Sequence, residues 1–143
     1  MSYLIDGDNL LGRWPGRARS DGERMRLIHE LARFARRVRR RTVVCFDGSP
    51  PPGTQPGRDT HWAGHGHSAD DWIVARLEEE RDRRGWTLVT DDRPLADRCR
   101  WLGAGTESCR RFRERLTTVP GGEKPEREPD VDDWLERFGG GDG

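Results

Sequence analysis

MSYLIDGDNLLG, residues 1–12, runs a short apolar segment into a turn of acids. Tyr3, Leu4 and Ile5 have the character of a short buried strand, and they run straight into Asp6, Gly7, Asp8 and Asn9. Two carboxylates and an amide in a single turn are held together only by surrounding water or by a cation between them. The same ending recurs downstream. Thr42–Phe46 (TVVCF) is rich in β-branched residues, as a strand should be, and Asp47 follows it. Trp86–Thr90 (WTLVT) is a third apolar run, followed by Asp91 and Asp92. Each apolar strand stops in an acid.

Helical patterns fill the intervals. From Asp21 to about Arg40, Met25, Ile28, Leu31, Ala32, Ala35 and Val38 recur at helical spacing, with arginines on the other face. Residues 49–67 hold SPPPGTQPG and HWAGHGH, which predict a long loop with at most a short strand around Thr60–Trp62. Ser68 can cap a helix from Ala69 to about Arg83, with Asp70 and Asp71 in its positive first turn. A helix started by Pro94 and ended by Gly103 follows the third strand. Glu107–Cys109 reads as a minimal last strand and Arg110–Leu116 as a short helix. Strand alternating with helix predicts an α/β sandwich with a mainly parallel sheet. In such sheets the C-terminal strand ends form the ligand crevice. Asp6, Asp47, Asp91 and Asp92 are delivered there from strand ends, and Asp70 and Asp71 from a helix start.

The 143 residues suit one domain, and the 31% apolar share against 36% charged suggests a modest core plus chain that does not fold. Residues 1–116 are read as the domain, and 117–143 as a polar linker with a short amphipathic helix, Val131–Phe138. No run approaches a membrane span and no charged-then-apolar signal opens the chain, so the expected location is cytoplasmic. Cys45, Cys99 and Cys109 lack metal-ligand spacing and read as reduced thiols in the core.

Zero net charge hides a division. Residues 13–41 carry eleven arginines against Asp21, Glu23 and Glu30, a local charge of +8. From Glu123 onward, eight acids oppose Lys124, Arg127 and Arg137, giving −5. Lys124 is the only lysine. A basic stretch can be a plain solvated face, but guanidinium forks also pair well with phosphate. Arg13, Arg17 and Arg19, beside the first acidic turn, are the candidate nucleic-acid contacts. Arg36–Arg41 lie away from the crevice and suit solvent or a partner.

A carboxylate cluster in a chain so poor in lysine suits a hard divalent cation, Mg²⁺ or Mn²⁺, bound by oxygen. That chemistry serves phosphodiester hydrolysis. His61, His65 and His67 could ligate a transition metal, contact substrate or simply be solvated. Trp14 and Trp62 could stack a base or cover the core. His29 reads as a surface residue.

In this order, DGDN, VVCFDG, SADDWIV and LVTDDRPLADRCRWLGA resemble the NYN domain, especially its YacP-like branch, over roughly residues 2–116. NYN domains are relatives of the PIN-domain nucleases. The resemblance implies a PIN-like, Rossmann-like three-layer fold, a sheet in the order 3-2-1-4-5 and metal-dependent ribonuclease activity, with RNA as partner. Matched to the family's motifs, Asp6, Asp70 and Asp92 are the catalytic, metal-holding acids, and Asn9 and Asp47 support them. Asp91 stands where the family usually has Ser or Asn, as an extra ligand or a helix cap. Asp8 stands where the family often has Tyr and is not read as catalytic. Asp71 is read as stabilising its helix start.

A receiver domain would need a lysine at its last strand, and none precedes Lys124. A dinucleotide-binding domain would need G-x-G-x-x-G after the first strand, and only Gly103-Ala104-Gly105 is similar, after a helix. The serious alternative is a non-catalytic RNA-binding or adaptor module. Ribosome-associated RNA, and a protein partner or second copy meeting the C-terminal helix, stay open. Docking of that helix on its own domain is the favoured expectation, because so short a helix does not persist alone.

Overall fold

The computed structural model describes residues 1–55 and 57–118. Five strands form one sheet: β1 (Ser2–Asp6), β2 (Thr42–Phe46), β3 (Thr60–Trp62), β4 (Trp86–Val89) and β5 (Gly105–Glu107). Their order is β3-β2-β1-β4-β5 and every pairing is parallel. β1 is central: Ile5 pairs with Val44 on one side and with Val89 on the other. The order reverses at β1, so the crevice lies above its C-terminal end.

Helices cover both faces. α1 (Gly7–Gly12), α2 (Asp21–Val38) and α5 (Cys109–Thr117) lie on one side, α3 (Ala69–Glu78) and α4 (Arg93–Trp101) on the other. Side-chain alternation in β1 feeds both layers: Tyr3 and Ile5 join Leu27, Leu31, Phe34 and Phe112, whereas Leu4 joins Ile73, Leu77, Leu88 and Leu95. The result is a three-layer α/β sandwich.

Several boundaries differ from the sequence reading for identifiable reasons. The acidic turn after β1 is the first turn of α1, a helix the pattern did not announce. Gly7 makes it possible: a Cβ there would meet Phe46 Cε1 at 2.5 Å, so only glycine lets the chain turn against β2. In α2 the buried stripe is Leu27, Leu31 and Phe34, whereas Ala32 faces solvent. α3 stops at Glu78, not near Arg83. Glu78, Glu79 and Glu80 crowd a negative helix end, and Arg83 folds back to donate to the carbonyls of Leu77 and Glu78, at 3.0 and 2.8 Å. β5 lies two residues earlier than expected, because Ser108 caps α5 by accepting the Arg111 N–H.

The three cysteines are buried in the two core layers, and burial pushes their thiols up to about 12, 11 and 12 for Cys45, Cys99 and Cys109. Among the described residues no helix is long and apolar enough to cross a membrane. The expected helix Val131–Phe138 and its linker from Pro120 lie outside the described residues.

Candidate active site

Strand polarity brings the acids to one edge. Asp6 ends β1 and is 5% exposed; Asp47 follows β2, Asp92 caps α4, and Asp70 sits in the first turn of α3. Burial, followed by the charges of Asp70, Asp47 and Asp92, raises the Asp6 carboxyl to about 7, against a hydrogen bond from Thr90 that favours ionisation. Asp70 is likewise raised, by partial burial and then by Asp92, Asp47 and Asp71. These four carboxylates share one field.

Ion pairing sorts the acids. Arg24 Nε meets Asp8 Oδ1 at 2.8 Å, Arg13 Nε meets Asp91 Oδ2 at 3.8 Å, and Arg98 Nη1 meets Asp71 Oδ1 at 3.9 Å. Among the described residues no ion pair reaches Asp6, Asp47, Asp70 or Asp92.

The remaining contacts separate scaffold from open oxygen. Asp8, buried at 5%, uses its second oxygen to accept the Asp47 N–H at 2.9 Å, so it ties α1 to the end of β2. Asp47 Oδ1 accepts the Ala69 N–H at 2.9 Å and so positions α3 and Asp70. Asp92 Oδ1 accepts the Leu95 N–H at 3.2 Å, which fixes the start of α4. Asn9 Oδ1 accepts the Asp91 N–H at 2.7 Å, and Asp91 Oδ1 accepts the Cys109 N–H at 2.9 Å. Asn9 and Asp91 thus stitch α1, the end of β4 and α5 together. Asp71, with its side chain 76% exposed, points out toward Arg98.

Thr90 was given no role by the sequence, and it is the junction of the site. Its hydroxyl is 2.9 Å from Asp6 Oδ2 and 3.3 Å from Asn9 Oδ1, and it accepts the Asp92 N–H at 3.1 Å. It is 4% exposed. The signal was a hydroxyl where strand β4 meets the acid pair, from which an oxygen reaches both Asp6 and Asn9.

The candidate RNA contacts divide. Arg13 has its side chain 62% exposed beside Asp91, at the crevice rim. Arg19 is exposed and lies on Gly12, where a Cβ would meet its Nη2 at 2.6 Å. Arg17 is 5% exposed and locked: Nε donates to Glu23 at 2.6 Å, Nη1 to Glu30 at 2.8 Å, and the guanidinium lies 4.4 Å from the Trp14 ring. Its charge is spent inside the fold, which removes it from the set able to grip phosphate.

Trp14 packs on the α2 side of the core, and Trp62 packs against Phe46 with ring centroids 4.8 Å apart. His61 stacks on Trp72 at 4.3 Å, where burial and then Arg76 hold its pKa below the usual imidazole range. His65, His67 and His29 are exposed.

The donor set suits a hard cation: four carboxylates, oxygen only, with Asp6 strongly disfavoured as a bare anion. Among the described residues no group of three or more His, Cys, Asp or Glu side chains stands in a metal-holding arrangement.

Five parallel strands in the order β3-β2-β1-β4-β5, with helices on both faces, form a PIN-like fold. The family model for the YacP-like NYN domain matches residues 3–133, and the chain belongs to that family. Among solved structures, the chain is similar to Rae1 (YacP) from Bacillus subtilis, solved as a W164L mutant. The TM-score is 0.68 and the identity 23%, covering 81% of this chain and 75% of the other. At that identity the likeness speaks to the fold. No curated protein matches the chain.

Proposed function

We propose that the chain is a metal-dependent ribonuclease that hydrolyses phosphodiester bonds within RNA. One observation carries the reading: four carboxylates from four segments share the C-terminal sheet edge and none is ion-paired among the described residues, while Asp8, Asp71 and Asp91 each pair with an arginine. Family membership supports the nuclease class.

Asp6, Asp70 and Asp92 would hold Mg²⁺ or Mn²⁺, and a bound ion of this kind supplies Lewis-acid activation of water and charge stabilisation at the leaving oxygen. The protein's own part is placement. Thr90 engages Asp6 Oδ2, which leaves Oδ1 for the ion. Asp47 orients the start of α3 and hence Asp70, and Asn9 holds the β4 end that carries Asp92. Arg13 and Arg19 border the crevice as phosphate contacts.

The test is incubation of labelled RNA with the protein in Mn²⁺, Mg²⁺ or EDTA. Internal fragments that appear with either cation and vanish in EDTA and in Asp6→Asn support the reading. Cleavage that persists in Asp6→Asn, with contaminating nuclease excluded, overturns the site. RNA binding without cleavage under every condition supports an adaptor instead.

A further inference from the structure

At the opposite edge of the sheet, between the ends of α2 and α5, lies a pocket of about 500 Å³. Tyr3, Phe34 and Val38 give it an apolar floor, and Arg37, Arg40, Arg111 and Arg115 stand around it, with Glu114 the one acid among its lining residues. Of the four arginines only Arg115 has a carboxylate partner among the described residues, Glu107 at 2.8 Å. Arg37 donates to the carbonyls of Leu116 and Thr118 at 3.4 Å, and Arg40 to the Tyr3 hydroxyl at 3.5 Å. Glu114 is itself shared with Arg110. The pocket is an apolar slot in a field of positive charge.

The chain leaves the described residues at this pocket, which Thr118 lines. Past Thr118 the sequence turns acidic, −5 from Glu123 onward, and it carries PDVDDWLERF at residues 129–138. Val131, Trp134, Leu135 and Phe138 fall on one face at helical spacing, and Asp130, Asp132, Asp133 and Glu136 surround them. An apolar stripe bordered by acids is the complement of an apolar slot bordered by arginines. Reach is sufficient: residues 119–130 number twelve, a flexible length of about 20 Å and a limit near ~40 Å when extended.

We propose that this pocket is the docking site of the chain's own segment 131–138, with Trp134 seated on Tyr3, Phe34 and Val38 and the flanking acids on the arginine rim. A second copy of the chain or a separate protein would need to find the same chemistry without the tether. The tether starts inside the pocket, which gives the cis segment a local concentration of about millimolar. The site lies at the N-terminal strand edge, away from the acids, so docking closes the bottom of the domain and leaves the crevice open.

The experiment uses the full chain with Glu114→Cys combined in turn with Asp130→Cys and Glu136→Cys, oxidised at low protein concentration and read on a non-reducing gel. The three native cysteines are buried with raised thiol pKa values and stay out of the exchange. A faster-migrating, internally cross-linked monomer is expected from at least one pair, and it should be lost when Trp134→Ala is added. Trp134→Ala with Phe138→Ala, in the otherwise native chain, should lower the melting temperature by about 4–8 °C. A cross-linked dimer from both pairs overturns the cis assignment in favour of a second copy. No cross-link together with an unchanged melting temperature overturns docking at this pocket altogether.

Discussion

At the C-terminal edge of the sheet, Asp6, Asp47, Asp70 and Asp92 stand without ion-pair partners among the described residues. At the N-terminal edge Arg37, Arg40, Arg111 and Arg115 gather around Tyr3 with little acid between them. A chain of zero net charge has thus been folded into two poles. Parallel topology is what separates them. Every strand ends at the first edge, and helices α1, α3 and α4 begin there, so their unpaired N–H groups face the acids. Helices α2 and α5 end at the other edge, where Arg37 binds the last carbonyls of α5. Backbone dipoles favour this placement, but they do not neutralise four carboxylates. The cation proposed above would supply the missing counter-charge.

Removing one unpaired acid should have the largest effect. Asp6→Asn should lower RNA cleavage by more than about 100-fold, beyond the 10–100-fold typical of residues that only support metal ligands. The fold should survive, because circular dichroism reports helices that Asp6 does not cap through its side chain. Stability supplies a second readout. In the folded state the Asp6 carboxyl is raised to about 7 from 3.8. The folded protein therefore keeps a proton that the unfolded chain gives up first. Asp6's contribution is full below the unfolded value and is lost as pH rises through the folded one. In buffer free of divalent ions, melting temperature should fall across that window, with an upper bound on the order of 4 kcal/mol at 1.36 kcal/mol per unit. Asp6→Asn should remove most of the slope. A parent protein equally stable at both ends of the window would show that neither burial nor the neighbouring acids penalise the Asp6 charge.

Breaking a paired acid should do the reverse. Arg24→Met leaves Asp8 buried without its guanidinium, at 7% side-chain exposure, and should cost about 3 kcal/mol in a denaturant titration. One acid stabilises when its charge is removed, and the other destabilises when its partner is. If both changes moved stability the same way, the division into paired and unpaired acids would fail. Thr90→Val, isosteric and without the hydroxyl, tests the junction between them. It should reduce cleavage about 10–100-fold with little loss of fold. Full activity in Thr90→Val would mean that Asp6 needs no orientation from β4.

Much of this edge was legible because its signals are local. An acid after an apolar run identifies a strand end, and parallel topology then places all such ends together. The parts that stayed hidden depend on distant partners. α1 needs Gly7 to pass Phe46, a contact between segments far apart in sequence. Thr90 matters because Asp6 and Asn9 arrive beside it. The +8 charge of residues 13–41 suggested that all three loop arginines face RNA, but charge counting cannot see that Glu23 and Glu30, on α2, capture Arg17. The length of α3 was overread because nothing local shows that Arg83 returns to close the helix behind it.

The smallest expected effect concerns those arginines and sharpens the boundary between the poles. With Arg17 engaged, two exposed guanidiniums remain beside the first acidic turn, Arg13 and Arg19. Arg13 is held loosely, 3.8 Å from Asp91 with its side chain 62% exposed, so an approaching phosphate can compete for it. Each phosphate contact adds about one unit to the slope of log affinity against log salt, somewhat less on a single strand. Arg13→Ser with Arg19→Ser should therefore flatten the slope for RNA binding by about 1.4 units, using ~0.7 per contact. The binding is measured in EDTA so that no substrate is consumed. Arg17→Ser should behave differently, lowering melting temperature through the loss of its two buried glutamate pairs while leaving the slope near that of the parent. Arg37→Ser with Arg40→Ser, at the far pole, should also leave the slope alone. A flattened slope in that last pair, with none in the first, would carry the RNA across the basic edge and undo the assignment of one pole to substrate and the other to the chain itself.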